Sequence, residues 1–248
     1  YSHIILLPFV SGYFIFTERR TIFSSAGYSI MPGIILIITS IIFYVLGLSY
    51  GVDLNENDYL SLMILSAVVF WSGGLVLFYG TKVVRKASFS LLFLVFMIPI
   101  PSFVIEKIIF ALQSASTEVS YGFFKLIGVP LLRDGFVFHL PGISIEVAEQ
   151  CSGIRSTLAL FITSVIAGHL LLKTSWKKVI LSLAVFPIAA VKNGARIVTL
   201  SMLASYVDER FITQSLLHSR GGIPFFILAL ALLVPLLWVL RRSDVKGT

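Results

Sequence analysis

The hydrophobic positions of this chain fall in runs rather than in alternation. One short run extends from about Ile4 to Phe16, and longer ones lie near 31–49, 60–80, 87–104, 155–173, 179–204 and 222–240. A helix needs roughly 20 apolar residues to cross a hydrocarbon core of about 30 Å. The pattern therefore predicts an all-α polytopic membrane protein with about seven transmembrane helices. The period changes once. After "IPIPSF", whose prolines end a helix, the stretch "EKIIFALQSASTEVSYGFFKLIGV" fits either an interfacial amphipathic helix or a further embedded segment. "GFVFHLPGISIEVAE" then alternates around a Pro-Gly turn and predicts a short β-hairpin. No internal repeat, low-complexity tract or soluble second domain interrupts the pattern, so 1–248 reads as a single transmembrane domain. The chain opens at Tyr1 inside the first run, which points to an N-terminally truncated piece.

Composition agrees with the pattern: 57% of residues are hydrophobic, 12% are charged, and the mean hydropathy is +0.98. The net charge of +7 adds an orientation. Segments 17–29, 81–87, 173–178 and 241–248 hold Arg19, Arg20, Lys82, Arg85, Lys86, Lys173, Lys177, Lys178, Arg241, Arg242 and Lys246, against only Glu18 and Asp244. These segments alternate with poorly basic ones, among them the acidic "DLNEND" at 53–58. The positive-inside rule then places the first run from outside to inside and leaves 50–59, 105–154 and 205–221 extracytoplasmic. The expected location is the cytoplasmic (inner) membrane, as a multi-pass protein whose site faces outward. The basic excess is topological, so no nucleic-acid partner is expected.

A single cysteine forms no intramolecular disulfide, so Cys151 is there for packing or for reactivity. It precedes a helix expected to start near Arg155, with Ser152 and Gly153 as cap and turn. Amides at a helix N-terminus favour thiolate over thiol. The same position also suits a small buried hydrophobe. Arg196, in "VKNGARIVTL", lies inside a bilayer-crossing run, where a guanidinium costs on the order of 3 kcal/mol by insertion scales and faces a bundle interior or a wet cavity. Lys192, Asn193 and Arg196 share one helical sector. Glu149 or Glu146 would be the partner if Arg196 formed a structural ion pair. His218 stands before the last run, followed by Gly221 and Gly222. The remaining histidines, His3, His139 and His169, have no metal-ligand spacing with Cys151 or with one another, so no metal and no cofactor is expected.

Cys151, Arg196 and His218 come from three successive outer helix ends, and short loops make neighbours. A thiol, an imidazole and a guanidinium are a set suited to acyl transfer. At this point the chain resembles the exosortase and archaeosortase family of membrane cysteine transpeptidases. The resemblance rests on "SHIILLPFVSGYFI" at 2–15, "LIGVPLLRDG", "LPGISIEVAEQCSGIRSTLALF" at 140–161, "NGARIVTLSMLA" at 193–204 and "HSRGGIPFF" at 218–226. It is nearer the bacterial exosortases than the archaeal branch.

The resemblance implies an enzyme that cleaves a C-terminal tripartite signal on secreted proteins: a short motif of Pro-Glu-Pro or Pro-Gly-Phe type, a hydrophobic helix and a basic tail. It implies Cys151 as nucleophile, Arg196 as the oxyanion or positioning cation and His218 as acid/base, with Asn193, Glu149, Ser152 and Gly153 in support. Membrane lipid is a further partner, and the acceptor would be a surface polymer, a lipid or water. Two readings compete. One is a transporter or assembly subunit for exported polysaccharide or lipid, with Arg196 on an anionic head group. The other is a membrane acyltransferase or hydrolase acting on lipid.

Overall fold

The computed structural model of the protein describes residues 6–25, 27–206 and 222–246. The chain forms two compact units, Tyr1–Ile105 and Glu106–Thr248. The all-α expectation holds, with a small sheet added. Among the described residues, five helices are long and apolar enough to cross a membrane, and a sixth span results if Ser88–Met97 and Ser102–Leu126 count as one broken crossing. The seventh expected run corresponds to α1, Leu6–Ile22, whose 17 described residues are slightly too short to meet that measure.

In the first unit α1 is followed by α2 (Ile30–Tyr50) and α3 (Glu56–Lys86), which pack along one another. α3 is interrupted at Gly80, whose φ of 83° only glycine adopts cheaply. The run expected at 87–104 is not one straight helix. It becomes α4 (Ser88–Leu94), a 3-10 turn (Val95–Met97) and an extended elbow at 98–101. Pro99 and Pro101 supply no amide donors there and disfavour helix in the residues before them.

The elbow's bare carbonyls are met by the start of α3. Ser61 donates to Pro99 O at 2.7 Å, and Asn57 donates to Ile100 O at 2.8 Å. Asp58 accepts from the Ser102 amide at 2.6 Å, at the first residue of α5 (Ser102–Leu126). The acidic segment 53–58 thus runs from a turn into the capped beginning of a helix: the Asn55 side chain accepts from the Asp58 amide.

In the second unit the mixed stretch resolves as the remainder of α5, followed by three strands, β1 (Leu132–Asp134), β2 (Val137–Leu140) and β3 (Ile143–Glu146). They form an antiparallel meander in that order. The expected hairpin is β2–β3, paired Leu140 to Ile143 across Pro141-Gly142, and Gly142 has the positive φ, 87°, that such a turn requires. β1 adds a third strand through the Asp134-Gly135 turn, a signal the sequence carries but which was not read as a strand.

Phe138 and Leu140 are buried with Phe124 of α5, Val147, and Ile197 and Val198 of a later helix, so the sheet's apolar face closes over helix surfaces. The chain continues into α6 (Ile154–Leu171), α7 (Ser175–Leu183), α8 (Val185–Tyr206) and α9 (Gly222–Lys246). Leu160, Leu172, Leu181, Val185, Ala229, Leu233 and Leu240 form the apolar core joining these four.

The end of that bundle opposite the sheet is fastened by a buried ion pair. Lys177 donates to Asp244 Oδ1 at 2.8 Å and to Ser243 Oγ at 2.9 Å; Thr174 Oγ1 and the Lys173 amide also donate to the Asp244 carboxylate. Asp244 was one of only two acids in the basic segments, and here its charge is matched. In the first unit, too, basic segments meet: Lys86 donates to Thr21 O and Ser24 Oγ.

Removing one partner of a buried pair leaves the other charge uncompensated. Lys177→Met is therefore expected to lower the thermal midpoint of the detergent-solubilised protein clearly, while Lys173→Met, on an exposed side chain, changes it little. A Lys177→Met/Asp244→Leu double variant is expected to recover part of the loss, read from the same melting curves.

Candidate functional site around the Cys151 turn

The main chain around Cys151 is a single 3-10 turn, Glu149–Ser152, ended by Gly153 in the left-handed region at φ 74°. α6 starts immediately afterwards. Its first turn is closed on one acceptor: the Gly153 carbonyl receives the Thr157 amide, Thr157 Oγ1 and Ser156 Oγ, all at 2.9 Å. Gly153 is the turn residue, as expected. Ser152 is not the cap. Its side chain is 1% exposed, and its hydroxyl has no hydrogen-bond partner among the described residues. Glu149, at the start of the turn, is exposed, and so is Glu146. The two acids anticipated as partners of Arg196 are thus both exposed residues.

What lies beneath the turn is α8. An atom placed where a Gly153 Cβ would be comes within 3.3 Å of both Asn193 Oδ1 and Lys192 Nζ. Lys192, 4% exposed, donates its ammonium proton to Ser156 Oγ in the first turn of α6. Asn193, 1% exposed, donates to Ser116 Oγ of α5 at 3.1 Å. Arg196 follows one turn later on the same side of α8 and is half-buried. The next residues, Ile197 and Val198, pack under the sheet. The polar sector of α8 therefore touches the Cys151 turn at one level and the sheet just beyond it.

α5 completes the arrangement and was not assigned a role from sequence. Gln113, Ser116, Thr117 and Ser120 are all buried, at spacings of three and four that share one helix face. Gln113 Nε2 donates to Val147 O at 2.6 Å, which fixes the chain between β3 and the Cys151 turn. Thr117 and Ser120 return their hydroxyls to carbonyls of their own helix, at Gln113 and Ser116. Close approach of α5 and α8 depends on Gly194: a Cβ there would meet Val119 Cγ1 at 2.7 Å and the Ser120 amide nitrogen at 3.2 Å. The signal for this face was present in "LQSASTEVS", four polar residues at helical spacing within an apolar context.

The structure thus brings together the turn that holds Cys151, Ser152 and Gly153 with Asn193 and the helix bearing Arg196. His218 lies outside the described residues. His139 is exposed on β2 and bonded through Nδ1 to Ser144 Oγ at 2.8 Å. Among the described residues, no cluster of His, Cys, Asp and Glu is arranged to hold a metal ion.

Forcing an L-residue into the left-handed region costs about 1–2 kcal/mol, and Gly153→Ala also presses a methyl toward Lys192 and Asn193. This variant is expected to lower the melting midpoint modestly and to change the alkylation rate of Cys151 measurably. Gly122→Ala, with nothing within 4 Å, serves as the reference that should do neither.

The family model for transmembrane exosortases matches residues 1–235. No curated protein and no solved structure matches the chain. The matched range spans both compact units and contains Cys151, Asn193, Arg196 and His218. The chain therefore belongs to the transmembrane exosortases, a family whose membership supports a membrane transpeptidase role in general terms.

Proposed function

We propose that this protein, acting as one functional domain, cleaves a C-terminal tripartite sorting signal of secreted proteins at the extracytoplasmic face of the inner membrane, through an acyl-enzyme on Cys151. The observation that supports this reading most is the seating of the Gly153 turn, two residues past the thiol, on Lys192 and Asn193 of the helix that also bears Arg196. The segregation of basic segments 17–29 with 81–87, and of 173–178 with 241–248, agrees with an inward-facing basic end.

In the proposed reaction the Cys151 thiolate attacks the scissile carbonyl carbon, forming a C–S bond and an oxyanion. Arg196 stabilises that oxyanion, an effect enlarged where water is excluded. Collapse breaks the C–N bond as His218 gives its proton to the leaving amine. An amine of a surface polymer or lipid, or water, then adds to the thioester. His218 takes its proton, and the thiolate is released. Asn193 and Lys192 act through the turn: they hold the residues after the thiol against α8, so the nucleophile is presented from a fixed backbone. The substrate's hydrophobic helix lies in the bilayer with its basic tail inside, which sets the motif at the outer surface.

Cys151→Ala, inserted and expressed normally, is expected to abolish conversion of a secreted reporter carrying motif, hydrophobic helix and basic tail, as seen by gel mobility in cells. Continued conversion would assign the nucleophile elsewhere, and a chain that exports polysaccharide or lipid irrespective of Cys151 would favour the transporter reading. For the cation, loss of one oxyanion donor costs about 10²-fold or more in turnover. Arg196→Ala should show a loss of that order. Arg196→Lys should recover only part of it, because the ammonium lacks the planar fork; full activity in the lysine variant would reduce Arg196 to charge compensation.

A further inference from the structure

β3 is an edge strand that leads straight into the Cys151 turn. In the sheet order β1-β2-β3 it pairs on one side only, with β2. The register fixes which of its backbone groups are engaged. Ile143 stands opposite Leu140 across the two-residue turn, and the amide of Val147 reaches Phe136 O at 2.9 Å. In an antiparallel ladder the bonded positions alternate. Ile143, Ile145 and Val147 therefore face β2, and the amides and carbonyls of Ser144 and Glu146 face the free edge. Both residues are exposed, and among the described residues no main-chain hydrogen bond reaches that edge.

The opposite edge is different. β1 has three residues, two of them charged, and its Arg133 is bonded to Glu118 at 2.6 Å and to Gly135 O at 2.9 Å. Charged residues on a short strand are a common protection of sheet edges. β3 carries one charge, at its last position.

We propose that the free edge of β3 takes the extended segment of the substrate beside the scissile bond as an added strand. The proposal rests on the reading of Cys151 as nucleophile and adds how that site receives its peptide. A peptide bond within a helix or folded domain has its backbone groups already paired, so the segment presented for cleavage is extended and carries free amides and carbonyls. These are the groups the β3 edge lacks partners for, and strand addition satisfies both sets without reading side chains. Distance agrees. Cys151 lies five positions after Glu146, so the end of β3 is within about 17 Å of the thiol-bearing main chain even at full extension. The Gln113 bond to Val147 O and the buried Val147 side chain hold the strand's exit against α5, so the main chain between the edge and the turn is fixed.

The test is Glu146→Pro against Glu146→Ala in the full chain, with the same secreted reporter. Proline removes the outward amide at 146 and leaves the β2 ladder intact. Loss of one such bond with its partner left unsatisfied should reduce processing at low reporter levels about tenfold, and raising the reporter level should restore it, as an effect on KM. Glu146→Ala, which keeps that amide, is the reference against which the loss in the proline variant is read. Wild-type processing by Glu146→Pro overturns the proposal.

If Glu146→Pro fails to accumulate, a benzophenone amino acid at 144 in the Cys151→Ala chain decides the matter. Crosslinking to the reporter's motif segment supports strand addition; crosslinking only to its hydrophobic tail, or none, overturns it. The two readings fail separately. Processing by Cys151→Ala removes the nucleophile assignment, whereas an inactive Cys151→Ala beside an unaffected Glu146→Pro removes only the β3 edge.

Discussion

A lysine and an asparagine buried side by side in a membrane-crossing helix constrain everything around them. Lys192 and Asn193 are all but inaccessible, and the bilayer offers no water to satisfy them. A charge at such depth costs on the order of 3 kcal/mol by insertion scales, so their partners must come from neighbouring helices. α6 supplies Ser156 and α5 supplies Ser116. Meeting both requirements draws the first turn of α6 and the polar face of α5 onto one level of α8. The turn that carries Cys151 is attached to that first turn through Gly153, and so its place is set by the need to satisfy a buried ammonium and a buried amide.

Several secondary features follow from that layer. Gly194 is the only residue type that lets α5 come close enough for Asn193 to reach Ser116, since a Cβ would collide with Val119. Gly153 must be left-handed for the chain to leave a 3-10 turn and enter α6 above Lys192. Gln113, one turn before Ser116 on the same α5 face, ties down Val147, so the sheet that delivers the chain to Cys151 is fixed by the same helix that answers Asn193. At the far end of the unit, the buried Lys177–Asp244 pair plays a comparable part for α7 and α9.

Much of this was legible in the sequence because membrane helices and period-two strands leave strong patterns. The apolar runs placed α2, α3, α6, α8 and α9, and the Pro-Gly turn placed β2 and β3. The prolines of 98–101 announced the end of a helix, as observed, but hydropathy is blind to where backbone carbonyls find donors, so Asn57 and Ser61 as partners of that elbow were not legible. The charges of the acidic 53–58 told of topology, but not that Asn55 and Asp58 act as helix caps. Around the site, Gly153 and the polar sector of α8 were readable from residue type and spacing. The partners Ser156, Ser116 and Gln113 were not, since which face of α5 meets α8 is decided by tertiary packing. Ser152 was assigned a capping role on local sequence alone, and burial gave it a different environment.

In the proposed reaction a substrate acyl group passes through the thiol held on this turn. Mass spectrometry of acid-quenched protein, purified during turnover with a tailed reporter, measures it directly. The expected result is a hydroxylamine-labile acyl adduct, with the mass of the reporter's upstream product, on the peptide containing Cys151. Turnover that proceeds with the adduct on another residue, or with no covalent adduct at all under conditions that trap slow deacylation, would contradict it.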